Sequence, residues 1–421
     1  MIKNTTYVLI TIYNIILASS LYAQRDIKSL YSRFGIGEQA SISLSGNFGL
    51  AGASATLNDK SFVNHFNPAS YSSLDMTVFD AGFRLRRLEI NEEGNRSIIP
   101  GGDFLSFSLG FPLSKKAGMA FGLKPYSTMG YQFINTQYFD GVGTTRYEFN
   151  GFGNFNQAFI GTAYKIKNFS FGINIAYLFG RIRQVQDIII SDRNIFNTRM
   201  LNETLITNFI YDAGAQYSIK FNKSQKLVVG VSIKPEISIN AKRNYVVYNF
   251  ARTTFDTPLD TLVKQLEESG KVQLPSTIQV GANYYFNSKF ALLFEYQSIN
   301  WSSFRSFGEA ENNRNTSQTY IGGVTYIPKG GSELINTGNL ILRLGYRYTN
   351  TGITVRETAI YESGMNIGAS VPIKKSRSSV NLGFEYGSRG TIGSGLIKET
   401  FYLVNIGLSI NDKWFIKRKY D

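Results

Sequence analysis

From about residue 75 to the end of the chain, apolar and polar residues alternate in fourteen stretches. In Phe169-Ser170-Phe171-Gly172-Ile173-Asn174-Ile175-Ala176-Tyr177 every odd position is bulky and apolar, and the even positions are small or polar. A strand sends alternate side chains to opposite faces, so this segment has one greasy face and one that is not. The pattern recurs in Leu340-Ile341-Leu342-Arg343-Leu344-Gly345-Tyr346-Arg347-Tyr348, where the second face carries two arginines. Lipid suits the first face and a wet lumen the second. The alternation predicts an all-β protein, a transmembrane antiparallel β-barrel of 14 strands over residues 75–421.

The connections support this reading. Short links fall near Ser114 to Ala117, Ile166 to Asn168, Asn222 to Gln225, Asn287 to Ser288 and Lys374 to Ser378. Between them lie long polar ones at Gln186 to Glu203, Ala251 to Lys271 and Ser302 to Ser317. Tight periplasmic turns and long outer loops are the habit of outer-membrane barrels. Pro328 to Asn339 is long for a periplasmic turn. Within the long connection from Tyr245 to Gly270, Pro258 to Leu266 places apolar residues at helical spacing. It predicts either a short extracellular helix or ordinary loop packing.

Residues 1–23 join Lys3, an apolar run and a closing Ala23, which predicts a cleaved signal peptide and export to the outer membrane of a Gram-negative bacterium. No later run of ~20 apolar residues offers a membrane helix. Residues 24–74 do not alternate; they are rich in glycine and carry Phe34, Phe48, Phe62 and Phe66. Irregular backbone at membrane depth must be satisfied by protein or water, so this segment predicts a plug in the lumen.

Composition removes several chemistries. Cysteine is absent, which excludes disulfides, thiolate metal sites and a lipid-anchored N-terminus. The formal charge of +14 becomes +13 when Lys3 leaves with the signal peptide, and it is dispersed apart from Lys413 to Lys419. Such dispersal reads as solvated surface charge, with affinity for outer-membrane lipid and lipopolysaccharide, and no nucleic-acid motif accompanies it. His65 is the only histidine and has no nucleophile motif beside it, so no catalytic residues, metal site or cofactor are expected.

Asn67-Pro68-Ala69, just before the first strand and after Gly49-Leu50-Ala51-Gly52-Ala53-Ser54-Ala55, resembles the hatch motif of the FadL-like long-chain fatty acid transporters of the outer membrane. Leu274-Pro275-Ser276-Thr277-Ile278-Gln279-Val280-Gly281, followed by Glu295-Tyr296 and Asn300-Trp301-Ser302-Ser303-Phe304, is similar to the eighth and ninth strands of that family. Tyr31-Ser32-Arg33-Phe34-Gly35-Ile36-Gly37 departs from it and marks a divergent branch.

The resemblance implies passive uptake of a long-chain fatty acid or similar hydrophobic molecule, gated by the hatch and released sideways through a kinked third strand. Pro125, flanked by Gly122 and Gly130, is the candidate for that opening, because proline cannot donate to a ladder; a bulge that merely adjusts curvature is the plainer account. Arg84, Arg86, Lys124, Arg343 and Arg347 fall on the lumen face and are candidates for a carboxylate head group, or for ion pairs with nearby acids and the plug. Phe34, Phe48, Phe62, Phe66 and Tyr71 are candidates for tail contacts, or for packing within the plug. The alternative function is a FadL-like barrel serving as a docking or shuttle component of a type IX-like secretion system, with a protein partner. A continuous apolar pocket with a side opening would favour uptake, and a filled lumen under extended apolar outer structure would favour docking.

Overall fold

The computed structural model describes residues 27–40, 44–92, 95–192, 195–222, 224–251, 257–329, 339–373, 376–393 and 395–414. The expected signal peptide and most of the Lys413 to Lys419 cluster lie outside them.

Fourteen antiparallel strands close on themselves. In chain order they are β1 (Thr77–Glu92), β2 (Asn95–Pro112), β3 (Ala117–Phe139), β4 (Gly143–Ile166), β5 (Phe169–Ile190), β6 (Asn197–Lys220), β7 (Lys226–Lys234 continued by Ile237–Ala251) and β8 (Thr257–Leu274 continued by Thr277–Tyr285). They go on as β9 (Phe290–Ile299), β10 (Ser317–Tyr326), β11 (Ile341–Val355), β12 (Thr358–Pro372), β13 (Ser379–Arg389) and β14 (Lys398–Asp412). The last strand pairs with the first from Lys398↔Asn91 to Asp412↔Thr77, which closes the wall. The alternation read from the sequence is the alternation of the wall. Phe171, Ile173 and Ile175 are exposed outward, whereas Ser170 and Asn174 are buried against the interior.

The barrel is lopsided. β3 to β6 run 22–24 residues each, whereas β9 to β14 run 10–15. A tilted crossing needs only ~9–11 residues, so one side of the wall rises well above the outer leaflet. β7 and β8 belong to the tall side. Each is broken at the same level by a proline, Pro235 and Pro275, between the pairs Lys234↔Thr277 and Leu274↔Ile237.

This height corrects the expected loops. Gln186 to Glu203 and Ala251 to Lys271 are largely strand, because two arms of a hairpin satisfy each other's backbone groups and need no apolar face once both sides are in water. The expected helix at Pro258 to Leu266 is also strand, paired with Tyr245 to Phe250 through three register shifts. Cross-strand pairing outweighs helical spacing there, and both faces of the stretch are exposed, Leu259, Leu262, Val263 and Leu266 included. Most of the long Pro328 to Asn339 turn lies outside the described residues.

Candidate functional site

Inside the barrel, the described residues of 27–40 and 44–76 form an irregular plug, and among them are three short 3-10 turns and one two-residue strand. Asparagines bracket its backbone. Asn47 accepts from the Leu44 N–H at 2.8 Å and donates to the Ala53 carbonyl at 2.7 Å. Asn64 donates to the carbonyls of Ser54 and Leu57. Asn67 caps the turn Pro68–Ser73 by accepting from the Ala69 N–H, with Pro68 at the first position, where its missing N–H costs nothing. Its amide also donates to Ala55 at 2.6 Å and to Val231 of β7 at 3.2 Å. The Asn67-Pro68-Ala69 motif is thus the joint between plug and wall. Glu295 of β9 completes it by accepting from the N–H groups of Ser54 and Ala55.

The upper rim of the plug is held by ions. Arg389 of β13 donates to Glu362, to Glu38 of the plug at 2.5 Å and to the Ser29 hydroxyl at 2.9 Å. Glu399 of β14 accepts from the Ser29 hydroxyl at 2.7 Å and the Leu30 N–H at 2.7 Å. Tyr31 donates to the Ile397 carbonyl, and burial, with Glu399 nearby, pushes its phenol up to about 12.

Each sequence-picked side chain has a definite place. Arg347 pairs with Glu362 at 2.7 Å and Glu385 at 2.6 Å. Arg84 donates to Asn405, Arg86 to the Lys28 carbonyl, and Arg343 to Ser370. Lys124 donates to the His65 carbonyl at 2.9 Å beneath the rings of Phe66 and Phe159. Phe34 packs with Tyr31, Ile353 and Ile360. Phe62 stands against Gly46, and Tyr71 donates to Asn174. His65 is buried, and neither ring nitrogen has a hydrogen-bond partner among the described residues. Burial, then Lys124 and Lys234, hold its pKa well below the usual value, so it is neutral. Among the described residues no group of three or more acidic or histidine side chains is arranged to hold a metal.

Between the upper rim of the plug, at Lys28, Tyr31 and Glu38, and its deeper part, at Asn47, Phe48 and Phe66, lies a cavity of about 630 Å³. Phe48, Phe66, Arg84, Arg86, Arg347 and Pro125 line it; Phe34, Phe62, Tyr71, Lys124, Arg343, Gly122 and Gly130 do not. Its walls also carry Glu362, Glu385, Arg389 and Glu399. Charged groups therefore share the chamber with apolar ones, among them Leu88, Phe104, Met129, Trp301, Ile321 and Leu403.

The chamber reaches a discontinuity in the wall. β2 and β3 pair only from Pro112↔Gly118 to Phe107↔Leu123, and the ladder stops there, just before Lys124 and Pro125. β3 carries a register shift against β4 between Pro125 and Ser127. Glu38 and Gln39 of the plug pair instead with Thr128 and Ser127. Lys28 bridges the two sides: its N–H donates to the Gly130 carbonyl at 2.7 Å, and its ammonium reaches the Gly102 carbonyl and Asp103 of β2. The sequence reading found the proline but not the plug strand and lysine that meet it.

Solved barrels share this architecture. The CymD monoaromatic hydrocarbon channel matches with a TM-score of 0.59 at 12% identity, over 89% of this chain and 98% of that one. A FadL homologue of Pseudomonas aeruginosa matches at 0.57 and 13%, over 90% and 99%. The Ralstonia pickettii toluene transporter TbuX matches at 0.56 and 12%, over 89% and 98%. Identities this low establish the fold, a FadL-like outer-membrane barrel, and leave the cargo open. No curated protein matches the sequence. The BamG family model spans residues 1–421, and the chain belongs to the BamG family.

Proposed function

We propose that this protein is a docking component of the outer membrane, a plugged barrel that holds a protein partner on its raised outer wall. The observation that carries the reading is the top of β7 and β8, where Leu259, Leu262, Val263 and Leu266 stand exposed beyond the membrane, Leu262 with 54% of its surface in water. Exposed apolar residues grouped in this way mark interaction surfaces. The ion pairs that fasten the upper rim of the plug to β13 and β14 agree with a plug that stays seated.

Leu262→Asp with Leu266→Asp tests it. The tagged chain, extracted in mild detergent from its own outer membrane, should carry a stoichiometric protein partner. The double variant should lose at least tenfold of it while keeping heat-modifiable gel migration. A wild-type chain that runs alone ends the docking reading.

A second reading, passage of a hydrophobic small molecule, rests on the break between β2 and β3 at Pro125 and on the chamber behind it. Phe104 and Leu105 on β2 and Tyr126 and Met129 on β3 line the chamber at that break. The FadL-type relatives are named for monoaromatic hydrocarbons and toluene. Labelled toluene and a labelled long-chain fatty acid should then enter cells only when the chain is present. Entry that is the same with and without it removes this reading.

A further inference from the structure

We infer that the upper edge of β3, from Tyr131 to Phe139, is a strand acceptor to which an extended, uncharged segment of a partner protein adds by backbone pairing. The inference rests on the docking reading and names the chemistry of a second contact.

The β2/β3 ladder ends at Phe107↔Leu123, although β3 stays paired with β4 as far as Phe139↔Gly143 and β2 stays paired with β1 as far as Asn95↔Glu92. Two long strands therefore stand side by side, each with one open edge. The plug already uses the lower part of the β3 edge. Glu38 and Gln39 pair with Thr128 and Ser127, Ala40 donates its N–H to Tyr126, and Gly130 receives Lys28 and gives its own N–H to Ser32. This edge accepts an extended segment within the molecule itself.

The plug pairing ends at Gly130. That residue turns both its N–H and its carbonyl into the break, so in an antiparallel strand Gln132, Ile134, Thr136 and Tyr138 turn theirs the same way. Among the described residues no backbone meets them. Both faces of the strand are also open from Ile134 to Phe139, with Ile134 49% and Tyr138 74% exposed.

The two open edges differ in their defences. Natural edge strands repel additional strands with charge, proline and bulges. β2 has Arg96, Pro100, Gly101-Gly102 and Asp103 along its open stretch. Tyr131-Gln132-Phe133-Ile134-Asn135-Thr136-Gln137-Tyr138-Phe139 has no charge and no proline. β3 is the edge left receptive, and strand addition to such an edge takes affinity from main-chain hydrogen bonds and specificity from alternate side chains. A neutral segment fits a neutral edge.

The test places a photo-crosslinking residue in turn at Gln132, Ile134, Thr136 and Tyr138 of the full chain in its own outer membrane, with Leu262 as a separate site. Strand addition predicts that each two-residue step along β3 moves the crosslinked residue of one partner by two, always in the same direction. Thr136→Pro removes a donor that faces the break and spares the β4 ladder, and it should lower the adduct at Tyr138 at least tenfold. Gln132→Lys with Ile134→Lys, which adds edge charge without touching the backbone, should do the same if the proline variant fails to fold. Adducts confined to lipid, to β2 or to a second copy of this chain overturn the inference, as does a pattern without register. If Leu262 still crosslinks a protein while the β3 positions do not, the edge inference fails and the docking reading stands. Loss of adducts at both places ends the docking reading as well.

Discussion

Replacing Arg389 with methionine is expected to free the upper rim of the plug and to cost about 3–5 kcal/mol, the usual penalty for breaking a buried charge pair from one side. Arg389 is the only cation the structure brings to both Glu362 and Glu399 among the described residues. Glu362 keeps Arg347, but Glu399 is almost wholly buried and would keep only the Ser29 hydroxyl and the Leu30 N–H. Glu38, 39% exposed, can turn to water, so most of the cost falls on the two wall carboxylates. Methionine preserves volume and so isolates the charge. Limited proteolysis in detergent should cut within residues 27–40 in the variant and spare them in the parent, and the thermal midpoint of heat-modifiable migration should fall. Arg389→Lys should lie between the two, because one ammonium cannot reproduce the planar fork that reaches Glu362, Glu38 and Ser29 together. An unchanged cleavage pattern would mean that the asparagine brackets and the turn at Pro68 hold the plug without the ionic rim.

The sequence disclosed those parts of the molecule that repeat. Alternation exposed the wall because lipid and lumen impose a period of two on every crossing, and Phe171, Ile173 and Ile175 report it plainly. Above the membrane both faces meet water, the period has no cause, and the tall halves of β5 to β8 read as loops. Leu259, Leu262, Val263 and Leu266 even read as helical, since nothing in their spacing reveals the pairing with Tyr245 to Phe250. Asn67-Pro68-Ala69 was legible as a local motif, and its capping role follows from residue types alone. The lumen arginines were legible as inward-facing, but their partners come from distant strands and from the plug. Nothing in the spacing of Arg389, Glu38, Ser29 and Glu399 says that they meet. Pro125 was visible as a ladder breaker, yet Lys28, which spans the break, lies almost a hundred residues away.

The glycines of the wall seat the plug. Nearly every strand has a glycine facing the plug, and at several of them the plug's main chain lies directly on the wall. A β-carbon at Gly172 would stand 2.6 Å from the backbone of Pro68, and one at Gly345 would stand 2.7 Å from the carbonyl of Gly49. At Gly118, Gly230 and Gly368 it would overlap the carbonyls of Tyr71, Ala55 and Phe48 outright. Backbone atoms on both sides cannot turn aside as a flexible side chain can, so each added side chain should cost about 1–3 kcal/mol or more through overpacking. Gly118→Val and Gly368→Val act on opposite ends of the plug, on β3 and β12. Together they are expected to expel it, while the barrel ladder, which needs nothing from either position but backbone, stays closed. In planar bilayers the parent should be silent and the double variant should conduct ions steadily, with heat-modifiable migration retained. Gly322→Ala, whose β-carbon finds only the Phe294 ring at 3.8 Å, should remain silent. If the double variant is also silent, the plug has room to shift on the wall, and the close contact between the two main chains is not what seats it.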